Sequence, residues 1–423
     1  MGEQLWLQIM RFSQIKMFLL AATAVVISSC SQPADPGVPS STPEPMASVE
    51  ATPEASSTPG EVVDEAVFVA VTERYEAEPE SGQNGFKVLE PLLNSQLPEG
   101  LGDDLEMVSL DEPEQIKAFD SKLLPTLKEG MGRKGFVPKA RLLAGEGDIN
   151  YRGLRHLVSL LGIRAEQRLE QGDVKGATEL VEMPLSLASA MQSRPETVSV
   201  NLFSAGYAST SIAWIQGALE SGALDAESIA RLQKFLAANS PSYHHLQETI
   251  TVDFAQLVNS LNIEEGRGMM GIGQVEASTL ESWRKQLFEI YARATKLYET
   301  SPGSAEAFNQ TVMQAAVPIQ GLVLDYPEVV TMQKRYFAEY KATELGLALV
   351  GPEAARWKDV PSGELVEKFF ADEPETVAAL KELVKIERDG QAFKVVGRME
   401  HFELLAPGVE PVLFEHQPPA SES

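Results

Sequence analysis

The chain of 423 residues contains a single cysteine and five histidines. One cysteine excludes an internal disulfide, a thiolate metal centre and a Cys-x-x-Cys redox pair. Five histidines leave little material for a histidine-rich metal cluster. Bases are also scarce, with 35 Lys and Arg against 61 Asp and Glu and a formal net charge of −26. A surface that acidic repels phosphate backbones, so nucleic acid is not an expected partner. After residue 27 no apolar run approaches the roughly eighteen residues of a membrane span. Hydrophobic residues make up 43% of the chain, enough to bury a core and exclude wholesale disorder.

The first 29 residues read as a targeting leader rather than as part of the fold. Arg11 and Lys16 supply its positive region, and Met17 to Val26 an apolar run too short for a permanent span. Met10 offers a more ordinary leader start than Met1. The run closes on Ile27-Ser28-Ser29-Cys30, an aliphatic residue and two small ones before the lone cysteine. This resembles the lipobox of bacterial lipoprotein precursors. The resemblance implies cleavage before Cys30, a diacylglycerol on its sulfur and an acylated new amino terminus. Two or three acyl chains, at about 0.8 kcal/mol per buried methylene, anchor firmly where one does not. Ser31 after the cysteine, by the sorting habit of that family, implies the outer membrane of a two-membrane envelope. The membrane is therefore an expected partner through lipidated Cys30. Loss of the leader leaves 33 bases against 60 acids, a net −27.

Residues 31–60 hold seven prolines, nine Ser or Thr and four acids, with no base and no aromatic residue. Such a composition cannot offset its ordering entropy by burial, so 30–60 reads as a disordered, lipid-anchored tether. It would span roughly 30 Å if flexible and about 90–100 Å if extended.

From about 112 to 350 the apolar period is helical, which predicts a mainly α fold. Antiparallel helix hairpins are expected to form a bundle or an irregular α-solenoid over 61–360, with a division point at the Gly-rich stretch 266–273. In 150–171 the apolar positions Leu154, Leu157, Val158, Leu161, Ala165 and Leu169 share one face. Gly172-Asp173 ends that helix and caps the next, whose course Pro184 is expected to kink or break. Helices are also expected at 195–220, 226–238, 241–265, 274–300, 302–325 and 327–349, joined by short turns. Ala205, Ser209, Ala213 and Gly217 make a thin stripe along the 195–220 helix, suited to close approach of a neighbour. The stretch Leu169-x-x-Gly172-Asp173-x-x-x-Ala177 resembles tetratricopeptide-type helix hairpins, without a second copy at that period. Residues 361–423 read as an α+β segment, a helix at 374–388 followed by strands at 392–396, 400–405 and 410–414.

Several local patterns tempt a catalytic reading. Gly266-Arg267-Gly268-Met269-Met270-Gly271 spells the dinucleotide fingerprint, but a helical pattern precedes it where the chemistry needs a strand. His244, His245, Glu248 and Asp253 sketch a metal site on one helix without the three or four convergent ligands that a metal wants. Asp253 borders an apolar stripe, so it is expected to meet a pairing base or a capping group. Ser282-Trp283-Arg284-Lys285 is a literal Ser-x-x-Lys, yet no Lys-Thr-Gly follows. No catalytic residue, metal ligand or cofactor is therefore assigned.

One contrast in charge stands out. Residues 133–168 hold eight bases and three acids, a positive island in an acidic chain. These bases either pair with surrounding acidic helices or present an anion-binding surface. Within the island, Arg133, Lys134, Lys139 and Arg141 beside a glycine-rich turn are the candidate contact for an acidic polymer or an envelope protein's acidic segment. The expected role is that of a lipid-anchored binding or scaffolding module of the cell envelope. The alternative is an envelope hydrolase whose catalytic residues lie dispersed in sequence.

Overall fold

A computed structural model describes residues 70, 73–74, 82–137, 150–194, 196–262, 264–269, 272–298, 304–389, 392–402, 404–405 and 408–417. All of them belong to the compact unit Val63–Ser423. The leader, Cys30 and the tether lie outside the described residues, as do Lys139 and Arg141.

The body is mainly α-helical with a small antiparallel sheet near its C-terminus. The first layer is α1 (Gly85–Leu93), α2 (Pro113–Ala118), a π-helical turn (Phe119–Leu123) and α3 (Leu124–Met131). Four helices follow, α4 (Tyr151–Glu170), α5 (Val174–Met191), α6 (Val198–Glu220) and α7 (Ala226–Ala238), with α5 packed on each of the other three. Their ends follow from local chemistry. The side chains of Asn150, Asp173, Thr197 and Asp225 each accept from the backbone N–H three residues on, at 2.7, 2.9, 3.3 and 2.7 Å. Gly172 and Gly222 close α4 and α6 with φ of +79° and +67°. Asp173 and Ala223 then donate to Arg168 and Ala218, in the reverse turn that such left-handed residues allow.

Next come α8 (Tyr243–Asn262), α9 (Glu264–Met269) and α10 (Ala277–Thr295), with a 3-10 turn at Lys296–Tyr298. The short helices α11 (Ser304–Gln314) and α12 (Val317–Gln320) lead into α13 (Tyr326–Val350). Helices α8 and α10 pack on each other across 263–276. The Gly-rich stretch is thus in part the helix α9 rather than a loop throughout.

Helix α13 is the axis of the molecule. It touches α6, α7, the 3-10 turn and most of the elements that follow it, and its buried residues point in all directions around the helix. Four short helices and three strands then wrap it: α14 (Ala354–Trp357), α15 (Ser362–Phe369), α16 (Pro374–Leu383), β1 (Val384–Asp389), β2 (Ala392–Gly397), α17 (Met399–Phe402) and β3 (Val412–His416). The sheet runs β1-β2-β3 and is antiparallel throughout, with Ile386 opposite Val395 and Val395 opposite Phe414. Its outer strands are each covered. Gln216 of α6 donates to the Leu413 carbonyl on β3 at 2.8 Å, and Arg388 of β1 donates to Trp357, Lys358 and Val360 carbonyls.

Four sequence expectations are corrected. Helix α5 runs unbroken through Pro184 to Met191, because packing against α3, α4, α6 and α7 outweighs one lost helix bond. The helix expected at 374–388 stops at Leu383, where Val384–Asp389 pairs with β2 instead. Residues 400–405 are not a strand. There the chain makes the turn α17, which seats the buried Phe402 ring against Gly397, where a Cβ would fall 2.6 Å from the ring. Finally, the Ala205 to Gly217 stripe is only in part the close face of α6, since Ala205 is buried while Ser209, Ala213 and Gly217 are partly exposed. A Cβ on Gly217 would meet open space, whereas Ser204, Ala208, Ser211 and Ala218 are buried.

Candidate functional site

The positive island divides once its partners are seen. Arg133 donates to the Glu129 carboxylate at 2.6 Å, one helical turn back, and to the Gly82 carbonyl. Lys134 next to it is exposed. Arg152 pairs with Glu106 at 2.8 Å. Arg164, which is buried, grips Asp120 with two parallel hydrogen bonds of 3.1 and 2.6 Å. Arg168 adds a third to the same carboxylate at 3.2 Å. Asp120 sits in the π turn, where the widened helix aims it at α4. Burial pushes its carboxyl up, but the two guanidiniums outweigh that and hold it below the usual range. Four bases of the island are thus engaged with acids from before it, and Lys134 stays open to solvent.

The sketched metal site also comes apart. His245 points its Nδ1 at the Gln192 carbonyl, 3.2 Å away, while Glu248 pairs with Arg74. Asp253 turns elsewhere. Its Oδ1 accepts from Val198 N–H at 3.0 Å and its Oδ2 from the Tyr326 hydroxyl at 3.1 Å. Asp253 is therefore a cap from a distant helix, closing the first turn of α6 where Thr197 already serves Val200. Burial pushes its carboxyl up to about 7, against the pull of those two donors. No three His, Cys, Asp or Glu among the described residues converge as a metal would need. The fingerprint glycines 266 and 268 lie within α9, directly after α8, so no strand delivers a phosphate loop. Ser282 and Lys285 lie on α10, where Lys285 pairs with Glu281 at 3.4 Å.

Sequence reasoning missed a buried polar seam where α5, α6, α8 and α13 meet. Gln333 of α13 donates to Asn201 and Thr249 at 3.2 Å each, and accepts from the Tyr298 hydroxyl. The same hydroxyl lies 2.7 Å from the Leu246 carbonyl, so its one proton is shared between the two acceptors. Gln192, at the C-terminal end of α5, donates to Ser204 at 2.7 Å, and Tyr336 donates to Gln192 at 3.4 Å. Two buried lysines flank the seam on α13. Lys334 donates to the Leu297 carbonyl at 3.0 Å, and burial draws its pKa down against the opposing pull of Glu382. Lys341 meets Glu344 at 3.1 Å and Glu373 at 2.7 Å, with the Phe370 ring centroid 4.6 Å away. Chemically these arrangements hold helices in register, since each satisfied donor fixes one helix against another. The signal was present in α13 as polar residues on every face, which contradicts a simple amphipathic surface helix.

No family model, curated protein or solved structure matches the chain.

Proposed function

We propose that this chain is a lipid-anchored protein of the bacterial cell envelope whose helical body works as a binding or scaffolding module. The observation that carries the reading is Ile27-Ser28-Ser29-Cys30, which places the lone cysteine directly after a short apolar run. The composition of 31–60 supports it, because an acidic, proline-rich stretch between anchor and body is a spacer. Among the described residues no helix is long and apolar enough to cross a membrane. A lipid on Cys30 would therefore supply the hold that the described body does not. Acylation keeps the protein in the outer membrane, with the body held off the lipid surface.

The contact surface assigned to this role is Arg133, Lys134, Lys139 and Arg141, for an acidic polymer or an acidic segment of an envelope protein. Arg133 is committed in part to Glu129, which leaves the exposed Lys134 as the clearer cation of the two described residues. Exposed charge contacts are screened over a Debye length of about 8 Å at physiological ionic strength. Replacing all four by glutamine in the full chain should leave the melting temperature within a few degrees of wild type. Capture of envelope partners by cross-linking should fall, and raised salt should mimic the loss in wild type. Unchanged capture by the folded quadruple variant contradicts the assignment.

A further inference from the structure

Asp253 joins three elements that are distant in sequence. It lies on α8, caps the first turn of α6 through Val198 and receives the hydroxyl of Tyr326, the first residue of α13. Helix α8 also meets the chain on either side of the approach to α6, with His245 on the Gln192 carbonyl and Asp253 on Val198. Tyr326 is itself held by Phe254, stacked at 5.5 Å, and by Phe308, edge-on at 5.9 Å. The carboxyl thus sits in an aromatic and backbone setting.

The charged and titratable groups around it are engaged elsewhere. On the approach to α6, Arg194 donates to Glu196 at 2.8 Å. On α8, His245 faces Gln192 and Glu248 faces Arg74. Tyr291 of α10 shares a hydrogen bond with Thr251 at 2.9 Å, and Tyr298 of the 3-10 turn serves Leu246 and Gln333. On α13, Asp325 caps its own helix and Lys334 donates to Leu297. Among the described residues no lysine, arginine or histidine pairs with Asp253. A buried carboxylate with two neutral donors and no counter-charge gains by taking up a proton.

We propose that Asp253 makes the joint between α6, α8 and α13 proton-responsive, closed when its carboxyl is uncharged and loosened when the carboxyl ionises. The sign follows from linkage. In the opened joint the carboxyl meets water and titrates near its ordinary value of about 3.9, whereas in the closed joint burial holds it at about 7. The closed form therefore binds the proton more tightly, and its advantage is complete below the lower value. Between the two, the opened fraction rises by up to tenfold per pH unit, and above the upper value it levels off.

Native-state hydrogen exchange on the full-length protein at pH 5, 6, 7 and 8, with rates converted to protection factors, tests this. Protection of the backbone amides from Val198 to Asn201 should fall by about 50-fold between pH 5 and 7 and by only about twofold more to pH 8. Protection at the centre of α4 should hold steady over the same range. Asp253→Asn, which keeps the acceptor without the charge, should flatten the profile. If that variant does not fold, Tyr326→Phe removes a donor to the ionised form and should move the midpoint to higher pH. A flat wild-type profile overturns the proposal. So does an Asp253→Asn profile that matches wild type, or an unmoved midpoint in Tyr326→Phe.

Discussion

Lys341 offers the sharpest energetic test of the fold. Its ammonium is fully buried on α13 between two carboxylates, Glu344 on its own helix and Glu373 at the start of α16. Lys341→Met keeps most of the volume, so the cavity term is small and the loss is electrostatic. Glu373 has an exposed side and the Thr376 hydroxyl at 2.8 Å, so it can turn to water. Glu344 cannot, being only 3% exposed, with burial already pushing its carboxyl up against the pull of Lys341. Without the lysine it escapes an unpaired buried charge by taking a proton. Taking that proton costs at most about 3.7 kcal/mol at pH 7 and about 1 kcal/mol at pH 5, from 1.36 kcal/mol per unit above an ordinary value of about 4.3. The variant should therefore lose about 3 kcal/mol at neutral pH, in line with the cost of breaking a buried pair, and much less at pH 5. Adding Glu344→Gln should restore most of the loss at pH 7 and remove its pH dependence. Urea unfolding of wild type, both single variants and the double variant at the two pH values completes the cycle. A loss below about 1 kcal/mol at pH 7, or a double variant no better than Lys341→Met, refutes the assignment of a compensated buried triad.

Two further outcomes are expected. Gly346→Ala adds about 1 kcal/mol of helix propensity to α13, but its Cβ would lie 2.3 Å from the buried Phe414 ring on β3. Overpacking of about 1–3 kcal/mol should win, lowering the melting temperature, and Phe414→Leu should relieve it. A Gly346→Ala protein as stable as wild type would mean that the sheet does not press on α13. Asp120 titrates below its ordinary value, so its contribution is present above about pH 4 and is lost as pH falls through the lowered folded value. Asp120→Asn should cost about 2–4 kcal/mol at pH 7 by leaving buried Arg164 without its counter-ion, and should blunt acid unfolding measured by circular dichroism.

What could be read from the chain was whatever its chemistry decides locally. Asp173 and Asp225 cap helices, and Gly172 and Gly222 end them, because each effect is completed within a few residues. Distant partners were not legible. Asp253 announced that it needed a partner or a cap, but the N–H that it serves is 55 residues away and the hydroxyl 73. Strand β1 was read as helix because Lys385, Glu387 and Arg388 are good helix formers, and only pairing with β2 overrides them. Pro184 was expected to kink or break its helix because the flanking helices that keep α5 continuous cannot be seen locally. Of the positive island, the sequence supplied the cations but not the commitments. Glu129, four residues before Arg133, was a visible i,i+4 partner, whereas the Asp120 that holds Arg164 lies 44 residues away.

The central claim is the lipid on Cys30. Cells expressing the full-length chain, fed an alkyne analogue of palmitate, should yield protein that carries the label and fractionates with the membrane. Cys30→Ala should carry no label and appear in the soluble fraction with an unchanged circular dichroism spectrum, since Cys30 lies outside the compact unit Val63–Ser423. Label that persists in Cys30→Ala, or wild-type protein that carries none, contradicts the account.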